Sequence, residues 1–479
     1  LTPSLKNAIL SRVKVYLSTL GCKLNESELE AWTRRLANTG AQIVADPRDA
    51  DICILNTCTV THVAAHKSRQ MARQLARANP RARLVLTGCF TDIAPDEARA
   101  LPNVALVVPN ADKDRLVEQI SDFGQLPSRM AQGLQISDWA ELPYGAFDDL
   151  VAAPSSSNSS TPLGTSVQSP PSRTRAFVKI QDGCNMACTY CIIPLARGKA
   201  RSRPREDIVA EVRALVSAGY KEIILTGVQI SVYANNGDKP HGLRDLVAAI
   251  LAETDVPRLR LTSIAPWDLD ESLLDLWRDA RLCRHLHLSL QSGSDTVLRR
   301  MRRPYTTAQF ARAAALAREK IPAVGITTDV IVGFPGESQV EFEQSLQFVE
   351  RMAFSRVHVF PYSARAGTIA ARLPLHVTDA VKASRAKQMQ AVADASARAF
   401  AARFIGKTMQ VLWEAREQRT DNRQQTNSPN PSSGLCKLWS GYTDNYIRVL
   451  AASDADLHNQ ITSACVIDME QDGVRAKLV

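Results

Sequence analysis

Gly183-Cys184-Asn185-Met186-Ala187-Cys188-Thr189-Tyr190-Cys191 follows a strand-like stretch at Phe177-Val178-Lys179-Ile180. Thiols spaced Cys-x3-Cys-x2-Cys can converge on one metal centre, and iron–sulfur clusters are held by such runs. No fourth cysteine stands nearby, so a cubane held here keeps one iron open to an incoming ligand. Structural zinc asks for a fourth ligand and closed tetrahedral geometry, and no second Cys pair or Cys-x2-4-His follows. The run predicts a cluster rather than zinc.

Around this run, six strand candidates alternate with helices: Ala176–Ile180, Glu222–Thr226, Arg258–Thr262, His285–Leu290, Thr327–Val332 and Arg356–Tyr362. Six such units suggest a partial (β/α)6 barrel, whose site lies at the C-terminal ends of the strands. The cysteine loop follows the first strand. The other strand ends supply site candidates: Thr226, Gly227, Ser263, Gln291, Ser292, Gly293, Asp329, Gly333, Gly336 and Glu337. Glycines there let backbone approach a ligand, and Glu337 is placed to cap the next helix. His285 and His287 lie within a strand and are expected to be packed or hydrogen-bonded. An Ala-rich helix over 378–404 leads to the last segment.

Upstream, Val13–Ser18, Ile52–Asn56 and Leu84–Thr87 read as short buried strands, with helical periodicity over Glu26–Asn38 and His62–Ala78. That alternation predicts an open parallel sheet with helices on its faces. Cys22, Cys58 and Cys89 each follow one of these strands. Open parallel sheets bind ligands at that edge, so the three are expected to hold a second cluster. Cys53, mid-strand, is expected in the core.

Residues 405–479 are strand-rich, with Met409–Trp413, Tyr446–Val449 and Ser463–Ile467 alternating. A small OB-like barrel fits, a fold that often binds RNA. Trp439, Tyr442 and Tyr446 suit either base stacking or a core. The loop at 421–433 is polar and expected to be mobile, and Cys436 and Cys465 read as incidental thiols. The chain thus divides into 1–122, a Ser/Pro-rich linker or insertion within 123–172, 173–404 and 405–479, an α/β protein overall.

At 479 residues there is room for several cores. No apolar run reaches transmembrane length, and the start lacks a secretory signal. Ten cysteines without such a signal point to a reducing compartment, the cytoplasm, and to metal chemistry rather than disulfides. The net charge of +9 leans toward a polyanionic partner. Arg197, Lys199, Arg201, Arg203 and Arg205, with Arg299, Arg300, Arg302 and Arg303, are local basic clusters, read either as solvated faces or as RNA contacts.

The cysteine run, with Tyr190 before its last cysteine, resembles the radical S-adenosylmethionine enzymes. Over nearly its whole length the chain resembles one family of them, the methylthiotransferases. The words that carry the likeness are Thr19-Leu20-Gly21-Cys22-Lys23-Leu24-Asn25, Asn56-Thr57-Cys58-Thr59-Val60-Thr61, Gly183 to Arg203, His287 to Asp295, Asp329 to Glu337 and Gly441-Tyr442-Thr443-Asp444-Asn445-Tyr446. The N-terminal wording is nearest to the enzymes acting on threonylcarbamoyladenosine in tRNA. Ala265 stands where the family carries Glu.

The resemblance implies an N-terminal cluster domain, a radical barrel and a C-terminal TRAM domain. It implies two 4Fe–4S clusters, one on Cys22, Cys58 and Cys89 and one on Cys184, Cys188 and Cys191. S-adenosylmethionine serves as methyl donor and as radical source, with Tyr190 and the strand-end residues around it. The implied substrate is the anticodon stem-loop of a tRNA, methylthiolated at C2 of the modified adenosine at position 37. Arg197, Arg201, Arg203, Arg302, Arg303, Tyr442 and Tyr446 are the implied RNA contacts. An electron donor protein is also implied; the sulfur source is unknown. The alternatives are an isopentenyladenosine in tRNA, a ribosomal-protein aspartate, or an iron–sulfur RNA-binding protein without catalysis.

Overall fold

The computed structural model describes residues 13–123, 173–234, 242–417 and 437–479. The linker within 123–172 (beyond 123), the loop at 421–433 and Cys436 lie outside them. No helix among the described residues is long and apolar enough to cross a membrane.

The first sheet is parallel, in the order β2-β1-β3-β4-β5, from β1 (Lys14–Thr19), β2 (Gln42–Ile43), β3 (Ile52–Thr57), β4 (Arg83–Gly88) and β5 (Val104–Val108). The central strand β3 is buried along its whole length, as an unbroken apolar run in a parallel sheet must be. Cys53 sits in that core, 1% exposed. Helix His62–Ala78 starts at Thr61, whose Oγ1 accepts from Ala64 N at 3.1 Å, and stops before Asn79-Pro80.

The second body begins with β6 (Arg175–Lys179). A two-residue hairpin pair, β7 (Gln181–Asp182) with β8 (Arg201–Ser202), brackets the cysteine loop. Then come β9 (Glu222–Thr226), β10 (Arg258–Leu261), β11 (Ser263–Ile264), β12 (His285–Leu288), β13 (Gly325–Val332) and β14 (Arg356–Pro361). The third barrel strand is broken at Thr262: β10 pairs with β9, whereas β11 pairs with β12. The six expected units therefore form a parallel three-strand and a parallel four-strand arc, joined by a bridge between Leu259 and Leu282. One large apolar core lines them. Ser338, not Glu337, caps helix Gln339–Met352, in a reciprocal capping box with Glu341.

Helix Asp379–Ala402 lies along β14 and leads to a closed barrel, β15-β16-β17-β19-β18. Its strands are β15 (Thr408–Glu417), β16 (Leu438–Thr443), β17 (Arg448–Ala452), β18 (Ile461–Glu470) and β19 (Gly473–Leu478). Two of these, β16 and β19, escape the sequence reading. Gly441 interrupts the apolar pattern of β16, where a Cβ would stand 2.4 Å from Leu412 O. Tyr446 is not in a strand: it sits at φ +71° in the turn before β17. Trp439 belongs to the barrel core at 6% exposed, which corrects it as a base-stacking candidate.

Candidate functional site

Two thiol triads stand at strand ends. Cys22 precedes helix Lys23–Asn38, Cys58 follows β3, and Cys89 begins the short helix after β4. Cys58 and Cys89 are buried, while Cys22 stays reachable by water in a densely walled recess. Burial pushes the Cys58 thiol up to about 11, and the Cys89 and Cys22 thiols add to the shift. Ser68 fixes the Cys58 backbone, its Oγ accepting from Cys58 N at 3.0 Å and donating to Cys58 O at 2.8 Å.

Beneath this triad lies a buried charge network. Glu28 accepts from Lys113 Nζ at 2.6 Å, Asn56 Nδ2 at 3.0 Å and Arg197 Nη1 at 3.1 Å. Burial opposes the Glu28 carboxylate, yet Arg197 and Lys113 hold it well below the ordinary range. Arg197 comes from the other body, on the short helix after the second cysteine run. It also donates to Asp182 Oδ1 at 2.9 Å, Asn25 Oδ1 at 2.6 Å and Cys89 Sγ at 3.3 Å. One residue of the barrel thus reaches a thiol of the N-terminal sheet. Its side chain is 1% exposed, so the expectation that Arg197 meets RNA is corrected: its donors are consumed inside the protein.

The second triad, Cys184, Cys188 and Cys191, is half-buried. Burial raises all the more the innermost thiol, Cys191, to about 12, with Cys188 and Cys184 contributing. Cys184 Sγ donates to Gln229 Oε1 at 3.4 Å. Arg303 donates to Cys188 Sγ at 3.4 Å and lies over the rings of Trp267 and Tyr305, at 5.0 and 5.2 Å. That places Arg303 beside the Cys188 thiol instead of on an RNA-facing surface, a second correction. Tyr190 packs against the small core of Val297, Met301, Phe334 and Tyr362.

The residues suit an iron–sulfur group at each triad. Burial raises the Cys58 and Cys191 thiols, and the other sulfurs of each triad add to the shift, as a metal site that binds with proton release would meet. Among the described residues no three His, Cys, Asp or Glu side chains close onto a single ion.

The other strand-end candidates separate into two kinds. Thr226 ends β9 and Gly227 follows it, Ser263 opens β11, Gln291 stands three residues beyond β12, and Asp329 lies within β13. Gly227 is demanded by Gln181, whose carbonyl would stand 2.8 Å from a Cβ. Gln291 has φ +70°, its N donating to Asp329 O at 2.8 Å. Asp329 accepts from His287 Nε2 at 3.3 Å, and Thr327 Oγ1 is shared by His285 and His287, each at 3.0 Å. Ser292, Gly293, Gly333, Gly336 and Glu337 instead build the wall. Ser292 is fully buried, and Gly293 N donates to Ser345 Oγ of the neighbouring helix at 2.8 Å. The Glu337 carboxylate accepts from Gly333 N at 2.7 Å and Arg385 Nη1 at 2.8 Å. Gly336 N donates to Leu375 O. For the side chains of Ser292 and Glu337, ligand contact is corrected to loop closure.

Of the remaining RNA candidates, Arg201 and Arg302 are exposed. Arg203 is engaged with Lys179 O and Glu211. Tyr442 and Tyr446 stack on each other at 5.1 Å, with Arg175 over Tyr442 and Arg260 4.7 Å from Tyr446. The two rings lie in the seam between the two barrels. Both Tyr442 and Tyr446 border a cleft of about 830 Å3 between β14, helix Asp379–Ala402 and the closed barrel, where Arg356, Arg398 and Arg448 also stand. No cysteine lines this cleft. Sequence reading missed Glu28, Lys113, Asp182 and Arg365 in the N-terminal site, and Trp267 and Tyr305 in the other; their partners are distant in sequence and no local pattern marks them.

Residues 178–349 match the Radical SAM superfamily, and residues 14–109 match Uncharacterized protein family UPF0004. A threonylcarbamoyladenosine tRNA methylthiotransferase (MtaB) of Bacillus subtilis is 34% identical over 95% of this chain and 93% of its own. One named alike in Thermotoga maritima is 36% identical over 84% of this chain and 86% of its own. A ribosomal protein uS12 methylthiotransferase (RimO) of Geobacter sulfurreducens is 33% identical over 95% and 99%.

Proposed function

This chain belongs to the radical S-adenosylmethionine methylthiotransferases, and on that premise we propose that it methylthiolates C2 of N6-threonylcarbamoyladenosine at position 37 of tRNA, next to the anticodon. The observation that carries the reading is the pair of thiol triads at strand ends, with Arg197, six residues beyond Cys191, donating to the Cys89 thiol and to Glu28. The enzyme class implies S-adenosylmethionine and one 4Fe–4S cluster, on Cys184, Cys188 and Cys191. The second cluster, on Cys22, Cys58 and Cys89, is part of the proposal, as are the anticodon stem-loop and an electron donor protein.

When bound, these groups supply a radical able to take hydrogen from an aromatic carbon that has no acidic proton, together with the methylated sulfur that replaces it. The chain's own residues orient and enclose. Gln291, in the left-handed region, turns the backbone between Leu290 and Ser292 while remaining bonded to Asp329 and Ile331. Arg303, laid on Trp267 and Tyr305, keeps a positive charge at the Cys188 sulfur. Trp267 and Tyr305 stack at 5.4 Å, an apolar floor that sheds water. Arg356 and Arg398 at the cleft are available for phosphates, whereas Arg448 is paired with Glu417 at 2.6 Å.

We would quantify iron and sulfide in the anaerobically reconstituted protein and in its Cys184/Cys188/Cys191→Ala variant. About eight irons falling to about four supports two cubanes. Nucleoside analysis of tRNA from cells with and without the gene then reads the substrate. Loss of the methylthio group from threonylcarbamoyladenosine supports the assignment. Loss from isopentenyladenosine, or from the uS12 aspartate, overturns it in favour of those targets.

A further inference from the structure

Arg365 lies four residues beyond β14 and is 9% exposed. It crosses to the N-terminal sheet, where Nη2 donates to Thr59 Oγ1 at 2.6 Å, and Thr59 immediately follows Cys58. Its Nε has no partner. Among the described residues no carboxylate lies in salt-bridge range of it, in contrast to Arg197, which meets Glu28 and Asp182. The nearby charge of Arg69 makes the position less favourable still. A buried guanidinium without an anion is costly, so such a group is kept where an anion arrives.

The loop that carries Arg365 is held rigidly. Thr368 N and Oγ1 both donate to Arg365 O, at 3.1 and 2.7 Å. Ala370 N donates at 2.8 Å to Thr189 O, inside the second cysteine run. A single short span thus touches both thiol loops.

We propose that Arg365 is a positioning residue that holds a small sulfur anion at the Cys22/Cys58/Cys89 centre. The inference rests on that centre carrying a cluster with an open iron, and it names which side chain orients the anion bound there. The ligand chemistry is that of hydrosulfide or a methanethiolate: one negative sulfur, matched to a guanidinium whose Nε has no other partner.

The test uses the full chain with Cys184, Cys188 and Cys191 replaced by Ala, so that only the N-terminal centre is loaded, with iron counted first. Hydrosulfide and, separately, methanethiolate are titrated against the electron paramagnetic resonance signal of the reduced cluster. Arg365→Gln is expected to weaken the binding of at least one of them about ten- to a hundredfold at unchanged iron, as loss of a charge-assisted hydrogen bond requires. Arg365→Lys is expected to recover most of it. Equal affinity of Arg365→Gln and its parent for both anions overturns the proposal while leaving the cluster reading intact. Where Arg365→Gln loses its iron, Thr59→Val decides: weaker binding supports the proposal and unchanged binding overturns it. Absence of iron from the parent overturns the cluster reading and the proposal together.

Discussion

Consider Gly88→Ala. Gly88 ends β4 at φ +103° and ψ −177°, a region open almost only to glycine. A Cβ there would stand 2.2 Å from Thr57 O, 2.6 Å from Thr57 N and 2.7 Å from Asn56 Oδ1. The first two are backbone atoms of β3, paired across the ladder and unable to swing aside. The dihedral costs about 1–3 kcal/mol and the overlap about 1–3 kcal/mol more, so the substitution removes about 2–6 kcal/mol. Relief means parting the ends of β3 and β4, which carry Cys58 and Cys89. The same change therefore separates two ligands of one centre. In urea, with a slope of about 2–3 kcal/mol per M, the midpoint for the N-terminal sheet falls by about 0.7–3 M. Iron in the Cys184/Cys188/Cys191→Ala background falls with it. Gly406→Ala is the control, with φ +79° and nothing within 4 Å of the added Cβ, and is expected to cost about 1–2 kcal/mol with iron unchanged. A Gly88→Ala protein as stable as the Gly406→Ala protein, with full iron, refutes the reasoning.

Three further outcomes are expected. Burial would raise the Glu222 carboxyl, but Arg260, bonded to it at 2.7 and 3.1 Å, holds it down to about 2; its contribution, about 3 kcal/mol, is complete above about pH 4.5 and lost as pH falls toward 2, and Glu222→Gln flattens that part of an acid-unfolding curve. Replacing Arg356 and Arg398 by Ala weakens tRNA binding and lowers the slope of log K against log salt by about 1.5, whereas a slope unchanged in filter-binding assays removes the cleft from the RNA path. Trp413→Ala in the closed barrel, where the ring is fully buried and Nε1 donates to Thr462 Oγ1 at 2.7 Å, lowers stability by about 3–5 kcal/mol in a thermal melt with the iron content of the protein unchanged.

What could be read from the sequence was whatever repeats or crowds along the chain. The apolar runs of β3 and β9 announced buried parallel strands, and the spacing of Cys184, Cys188 and Cys191 announced a shared centre. Cys22, Cys58 and Cys89 were legible through a rule about strand ends, not through spacing. The groups that complete the sites were not. Glu28 sits on a helix dense in charge and reads as solvated, until Lys113 and Arg197 arrive from 85 and 169 residues away. Arg365 finds Thr59 across 306 residues. Arg197 and Arg303 looked like basic surface because a positive charge beside a thiol and one beside a phosphate are written with the same letter. Tyr446 failed for a different reason: its left-handed turn breaks the alternation that would mark a strand.

The two arginines that close the N-terminal recess also impose an order of manufacture. The thiols of Cys22, Cys58 and Cys89 leave the ribosome early, but Arg365 follows Cys89 by 276 residues. At bacterial or eukaryotic elongation rates that is roughly 14–55 s of further synthesis. For that interval the nascent sheet presents three thiols without Arg365 or, for part of it, Arg197. Iron delivered then would meet an unfinished socket, so the timing of cofactor delivery, and not only its chemistry, becomes a property written into where these two residues stand in the gene.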